Sequence, residues 1–253
     1  YWSPIEPFEK LISVSKGGTL KGLRDIQPGR NLQMKPFGMG NRISAEEKIN
    51  NTDVGLDIKY SITPSLTLDA TYNTDFSQVD ADEERVNLTR FPLFFPEKRD
   101  FFMENASLFE FGDISNYLYR MGPSRYSRSF TMFHSRRIGL ENEQQIPITG
   151  GARLSGKVGN IDVGYLNMLA EGTENVPRTQ YNVSRIRGNF LKKSNVGAIL
   201  VNRNSNGEDR DHRSMGVDLN FNINKLLLYS YIAQTENPDA DGDNLAGRMV
   251  MAW

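Results

Sequence analysis

Strict alternation of apolar and polar residues is the feature of this sequence that most limits what the chain can fold into. One apolar row consists of Val54, Leu56, Ile58, Tyr60 and Ile62, with Gly, Asp, Lys and Ser between them. After Thr63-Pro64-Ser65, a second row follows at Leu66, Leu68, Ala70 and Tyr72, opposite Thr67, Asp69, Thr71 and Asn73. Successive side chains of a strand point to opposite faces. The sequence therefore predicts a β-hairpin with one apolar and one polar face.

The same period returns from residue 147 onward. It predicts strands at residues 152–158, 161–165, 181–190, 196–203, 215–223 and 226–234. The polar faces include Arg153 in the first of these strands and Asp218 in the fifth. Short turns at 159–160, 192–194 and 224–225 alternate with longer polar loops at 171–179, 204–213 and 235–244. Long strands joined alternately by short turns and long loops are typical of an outer-membrane barrel. We therefore predict an all-β, antiparallel transmembrane β-barrel, one domain over residues 1–253. The alternation still runs at residues 249–253, so we expect further C-terminal strands.

A soluble antiparallel sandwich or a lipocalin-like barrel would also alternate. Strands of about ten residues, with Asp, Asn, Arg, Lys and Gly on the second face, favour the membrane barrel. The 30 Lys and Arg residues are balanced by 31 Asp and Glu residues, so no global field favours nucleic acid. The chain has no Cys, which excludes thiolate chemistry. No apolar run reaches the roughly 18–20 residues of a spanning helix.

The alternation mostly disappears between residues 75 and 146, here called the central segment. Aromatic residues such as Phe91, Phe101 and Phe111 are interleaved there with Arg90, Arg120 and other arginines. Such a mixture is too apolar for a disordered loop. We predict that the central segment plugs the barrel lumen or caps its mouth, with its arginines paired to lumen carboxylates. A compact extracellular loop that never enters the barrel is the alternative.

Nine charged or polar residues of the central segment are the candidate binding or plug-pinning residues. They are Asp75, Gln78, Asp80, Asp82, Glu97, Lys98, Arg99, Arg136 and Arg137. They would form either a ligand or cation site or an ion-pair network that pins the plug. The second interpretation is favoured, because charges in a confined lumen need partners.

The sequence predicts no catalytic residues, no metal site and no cofactor. Residues 151–157 have P-loop spacing, but Val158 stands where the motif needs Ser or Thr, and the stretch alternates like a strand. The acids at 239, 241 and 243 resemble the start of a calcium loop but have no Glu at the twelfth position. Two His residues are too few for a convincing zinc site.

Several blocks of the sequence resemble a known family. They read LDATYNTDFSQVDAD at residues 68–82, VNLTRF at 86–91, FFPEKRDFF at 94–102, SRRIG at 135–139 and GTLKGL at 18–23. The chain is similar to outer-membrane proteins common in Bacteroidetes that carry a domain of unknown function behind a periplasmic domain similar to family-nine carbohydrate-binding modules. The family usually has Pro where this chain has Thr74 and Asp100. The resemblance implies a large barrel of which this chain is the first part, located in the bacterial outer membrane.

Three functions are open at this point. The first is a channel or transport-related barrel for an unidentified solute, with a saccharide suggested by the companion domain of the family. The second is a structural or anchoring barrel within a larger envelope complex. The third, a barrel-embedded hydrolase, is disfavoured because no nucleophile, base and orienting group stand together in the sequence. The expected partners are outer-membrane lipid, other envelope proteins and a saccharide ligand, with no nucleic acid.

Overall fold

The computed structural model of the protein describes residues 22, 31–44, 48–74, 97–112, 131–141, 144–172, 176–191, 193–206, 211–223, 226–238 and 244–253. The chain divides into two units, Tyr1–Arg30 and Asn31–Trp253, and every described residue except Gly22 belongs to the second. The prediction of one domain over residues 1–253 therefore stays a prediction.

The described elements are almost all strands. The strands are β1 (Leu32–Ser44), β2 (Lys48–Thr63), β3 (Leu66–Tyr72), β4 (Leu140–Glu141), β5 (Gln144–Gln145), β6 (Ile148–Val158), β7 (Ile161–Ala170), β8 (Thr179–Phe190), β9 (Ser194–Ser205), β10 (His212–Ile223), β11 (Leu226–Glu236) and β12 (Leu245–Ala252). A one-turn helix, α1 (Asp100–Met103), and two 3₁₀ turns (Ala106–Phe109 and Ser135–Arg137) lie between β3 and β4. No described helix is long and apolar enough to cross a membrane.

Ten strands form one antiparallel sheet in the order β1-β2-β3-β6-β7-β8-β9-β10-β11-β12, while β4 and β5 pair separately. The all-β, antiparallel part of the predicted fold is confirmed. The sheet does not close into a barrel: among the described strands, β1 and β12 each pair on one side only. Strands β3 and β6 are direct neighbours, with Asp69 opposite Arg153. The central segment therefore leaves and rejoins the sheet at adjacent strands.

The two faces of the sheet differ in chemistry. Cross-strand partners share a face, so the pairing register assigns each strand residue to one side. One face, called the covered face because residues 97–112 pack against it, carries charged residues. They include Lys59, Asp69, Arg153, Asp162, Arg185, Arg187 and Asp218. The open face carries apolar side chains that are 44–73% exposed, among them Val54, Val158, Ile161, Ile186, Val196, Val217, Ile232 and Met249. The polar rows predicted from Asp69, Arg153 and Asp218 do lie on one face.

The predicted strands are all present, and most extend one to four residues further than the alternation indicated. Strand β1 was not predicted. Its alternation is interrupted by Pro36, Gly38 and Gly40. Pro has no N–H to give to a sheet ladder and is tolerated on edge strands, where β1 stands among the described strands. The predicted turn at residues 224–225 and the acids at 239, 241 and 243 lie outside the described residues.

Candidate functional site

A buried ion pair joins the two strands between which the central segment is inserted. Arg153 donates from Nη2 (2.7 Å) and Nε (3.2 Å) to one carboxylate oxygen of Asp69. Its Nη1 donates to the backbone carbonyls of Phe101 and of Glu104, the second at 2.6 Å. The Arg153 residue is only 2% exposed. Arg153 thus forms an ion pair with a carboxylate of the sheet and hydrogen bonds with the main chain of the central segment.

A second buried ion pair crosses strand β9. Both Nη groups of Arg185 donate to the two carboxylate oxygens of Asp218, each at 2.7 Å. Gly197 lies between these residues, and a methyl group there would stand 2.5 Å from Arg185 Nη1. The bare backbone of Gly197 therefore lets the guanidinium reach across the strand. The Gly112 N–H of the central segment donates to Asp218 Oδ2 at 3.2 Å.

Phenyl rings of the central segment lie over glycines of the covered face. The Phe109 ring packs over Gly164, and the Phe111 ring packs over Gly216. Phe111 also meets Tyr231 edge-on, with ring centroids 5.7 Å apart. These rings join a buried core with residues of strands β6 to β9 and β11, namely Ile148, Leu166, Met168, Val183, Ile199 and Ala233. Residues 97–112 are therefore packed into the covered face and do not lie on the apolar open face.

We expect Gly216→Ala to destabilise the protein by about 1–3 kcal/mol, the usual cost of forcing extra atoms into a packed core. The added methyl would lie 2.5 Å from the Phe111 ring, which also packs edge-on against Tyr231. The measurement is urea unfolding followed by far-ultraviolet circular dichroism.

Gly188→Ala is the matched control, because its methyl would meet no atom closer than 3.9 Å. We expect its unfolding midpoint to equal that of the parent protein. Equal midpoints for both variants would mean that Phe111 does not pack over Gly216.

A clamp made by Glu97, Arg99 and Ser135 joins two described parts of the central segment, residues 97–112 and 131–141. Arg99 donates to both oxygens of Glu97 at 2.8 Å. It also donates to the carbonyls of Ser135 and Ile138, both at 2.6 Å. The Ser135 hydroxyl completes the clamp by donating to Glu97 Oε2 at 2.6 Å. The Arg99 guanidinium lies 4.2 Å from the Phe102 ring centroid. The clamp therefore ties residues 97–102 to residues 135–138.

Ionised Glu97 is needed for this clamp. Burial disfavours its charged form, but hydrogen bonds from Arg99 and Ser135 and the Arg99 charge outweigh burial and lower the pKa of Glu97 below its ordinary value of 4.5. A carboxyl with a lowered pKa in the folded state contributes stability above its unfolded pKa, and that contribution is lost as the pH falls through the folded pKa.

We therefore expect the parent protein to lose stability more steeply below about pH 4.5 than Glu97→Gln, which has no proton to gain. Unfolding midpoints measured between pH 7 and 3 provide the test. The two proteins should differ most at pH 7 and converge in acid. A difference that stays constant with pH would contradict the clamp.

The structure describes five of the nine candidate residues of the central segment. It brings Glu97 and Arg99 together in the clamp, and the Lys98 N–H donates to Glu97. Arg136 and Arg137 follow Ser135 in the same 3₁₀ turn, where Arg137 is exposed. Asp75, Gln78, Asp80 and Asp82 lie outside the described residues. The role of the whole set as binding or pinning residues stays a prediction.

The sequence did not single out the two ion pairs between strands. Asp69, Arg153 and Asp218 were placed on polar faces, but nothing in the sequence shows that β3 pairs with β6. The available signal was an arginine in the middle of each of two long alternating strands, because such a charge needs a partner when it is buried. Among the described residues, no group of three His, Asp or Glu side chains is arranged to hold a metal ion.

Fold and site together define a β-sheet protein with one charged face, packed under an inserted aromatic segment, and one exposed apolar face. The chain belongs to the family described as a domain of unknown function (DUF5916), whose sequence profile matches residues 28–241. No curated protein and no solved structure matches the chain.

Proposed function

We propose that this protein forms the wall of a bacterial outer-membrane β-barrel, a channel or transport-related barrel whose interior holds the central segment as a plug. The proposal rests on one observation: charged side chains lie on one face of the sheet and exposed apolar side chains lie on the other. Buried Arg153 and Arg185 lie on one face, while Ile186 and Val217 on the other are 56% and 49% exposed. A water-soluble protein rarely leaves an apolar surface of this extent uncovered. Lipid is the solvent that such a face requires.

Strand length supports the same proposal. Eight of the ten strands in the large sheet have ten or more residues. A transmembrane strand needs about 9–11 residues when it is tilted, whereas strands of soluble proteins usually have about five or six. Closing the barrel would pair the outer edges of β1 and β12 with each other or with additional strands. The resemblance to Bacteroidetes outer-membrane proteins adds the location, and their companion domain adds a saccharide as a candidate solute.

Planar-bilayer recordings test transport. The variant has residues 98–112 replaced by a Gly-Ser linker of equal length, which removes the Phe109 and Phe111 rings that pack over the sheet and the Arg99 side chain of the clamp. We expect a higher single-channel conductance than that of the parent protein, because the plug no longer fills the interior. Met103→Ser is the matched control, since this side chain of the same segment is 46% exposed. Its conductance should equal that of the parent.

Bilayers that stay silent with both the parent and the linker variant would contradict a channel. They would favour the second candidate, a structural or anchoring barrel in a larger envelope complex. The specific observation in favour of that candidate is how firmly residues 97–112 are held, by two buried ion pairs and a buried aromatic core. A stoichiometric envelope partner that co-purifies with the protein would then be expected.

A further inference from the structure

Three charged residues stand side by side on the covered face, towards the short turns. Lys157 of β6, Asp162 of β7 and Arg187 of β8 are successive cross-strand partners. Asp162 Oδ2 accepts from Arg187 Nε at 3.0 Å and from Asn189 Nδ2 at 2.9 Å. The Lys157 ammonium lies 4.0 Å from Asp162 Oδ1. We call Lys157, Asp162 and Arg187 the charged strip.

Among the described residues, those at 97–112 make their contacts with these strands just short of the charged strip. Asn105 donates to Ser155, two residues before Lys157, and Phe109 packs over Gly164, two residues after Asp162. The side chains of Arg187 and Lys157 remain 23% and 50% exposed. A small molecule on the covered face can therefore reach the charged strip while residues 97–112 stay packed.

Arg187 and Arg185 lie two residues apart on one strand face but differ in what they can still bind. Both Nη groups of Arg185 are taken by Asp218. Arg187 gives only its Nε to Asp162, and its two Nη groups donate to no acceptor in the described part of the chain. Asp162 thus fixes the guanidinium through one edge and leaves donors of the guanidinium unused.

We propose that the charged strip is a binding site for an oxyanion, a carboxylate or phosphate group of the solute. Two cations and one carboxylate leave a net positive charge, and a guanidinium held in place offers paired donors that match two oxygens of such a group. Lys157 adds a second cation beside it. The proposal deepens the proposed function and rests on it, because it names the class of solute that the covered face accepts.

Binding is measured by isothermal titration calorimetry on the detergent-solubilised protein, so the result does not depend on conductance. The probes are inorganic phosphate, succinate and glucose. We expect binding of phosphate or succinate and none of glucose. Arg187→Gln should weaken binding at least tenfold, and Lys157→Gln should weaken it several-fold. Arg187→Lys keeps the charge beside Asp162 but has no paired donors, so it should also bind more weakly.

Arg213→Gln is the matched control. Arg213 also has one carboxylate neighbour, Glu236 at 3.8 Å, but it lies on the open face and its side chain is 55% exposed. Its loss should leave binding unchanged. Equal affinity of Arg187→Gln, Arg187→Lys and the parent protein would overturn the proposal, as would tighter binding of glucose than of either anion. Anion binding without any conductance would retain the site and reject only the channel.

Discussion

Asp218→Ala is expected to lower the free energy of unfolding by about 3–5 kcal/mol, the typical result of removing one partner of a buried ion pair. Asp218 and Arg185 are each 2% exposed, and Asp218 receives two hydrogen bonds from Arg185 and one from the Gly112 N–H. The variant leaves a guanidinium buried without its counter-charge. Urea unfolding followed by circular dichroism gives the change in free energy.

Two further variants make this experiment specific. Asp211→Ala removes an exposed carboxylate from the same part of the chain and should change stability by less than about 0.5 kcal/mol. The double variant Arg185→Met with Asp218→Leu should recover most of the loss, because no unpaired charge remains buried. If Asp218→Ala were as mild as Asp211→Ala, the Arg185–Asp218 pair would not be buried in the folded protein.

Ile186→Arg is expected to cost about 2–4 kcal/mol in a bilayer, the range for a basic residue placed at the middle of the lipid-facing surface of a barrel. Ile186 lies near the middle of β8 on the open face and is 56% exposed. In water, an exposed isoleucine can be replaced by arginine with little effect, usually within about 0.5 kcal/mol. The size of the loss of stability therefore shows whether lipid or water surrounds the open face.

Gln180→Arg is the matched control for this variant. Gln180 lies on the same face of the same strand, six residues away and next to its end. Near the membrane interface a basic residue costs only about 0–1 kcal/mol. Both variants are compared by reversible unfolding from phospholipid vesicles. Equal and small costs at the two positions would argue against lipid contact.

The sequence was sufficient to predict most of the sheet, because period two is a local signal. The hairpin of β2 and β3 and the strands β6 to β11 each carry their own alternation, whatever the rest of the chain does. The polar positions of Asp69, Arg153 and Asp218 followed from the same pattern. Strand β1 was missed because Pro36 and two glycines interrupt its pattern, although its pairing with β2 tolerates them.

The candidate site was less predictable, because it depends on contacts between distant parts of the chain. Arg153 and Asp69 are 84 residues apart, and Gly112 and Asp218 are 106 apart. Only the register of the sheet shows that Gly197 leaves room for Arg185. The ion pair of Glu97 and Arg99 was easier to anticipate, because the two residues are close in sequence. Both were named as candidates from the sequence, but their pairing with each other was not predicted.

The central claim is that the open face contacts lipid while the covered face contacts a polar interior. The natural absence of Cys makes single-cysteine spin labelling direct. Labels at Val158, Ile186 and Val217 on the open face are compared with labels at Asn189 and Asn195 on the covered face. In lipid vesicles, the claim predicts that dissolved oxygen relaxes the first three labels more strongly than a water-soluble nickel chelate, with the order reversed for the last two. Nickel relaxation that is as strong at Ile186 and Val217 as at Asn189 and Asn195 would contradict it.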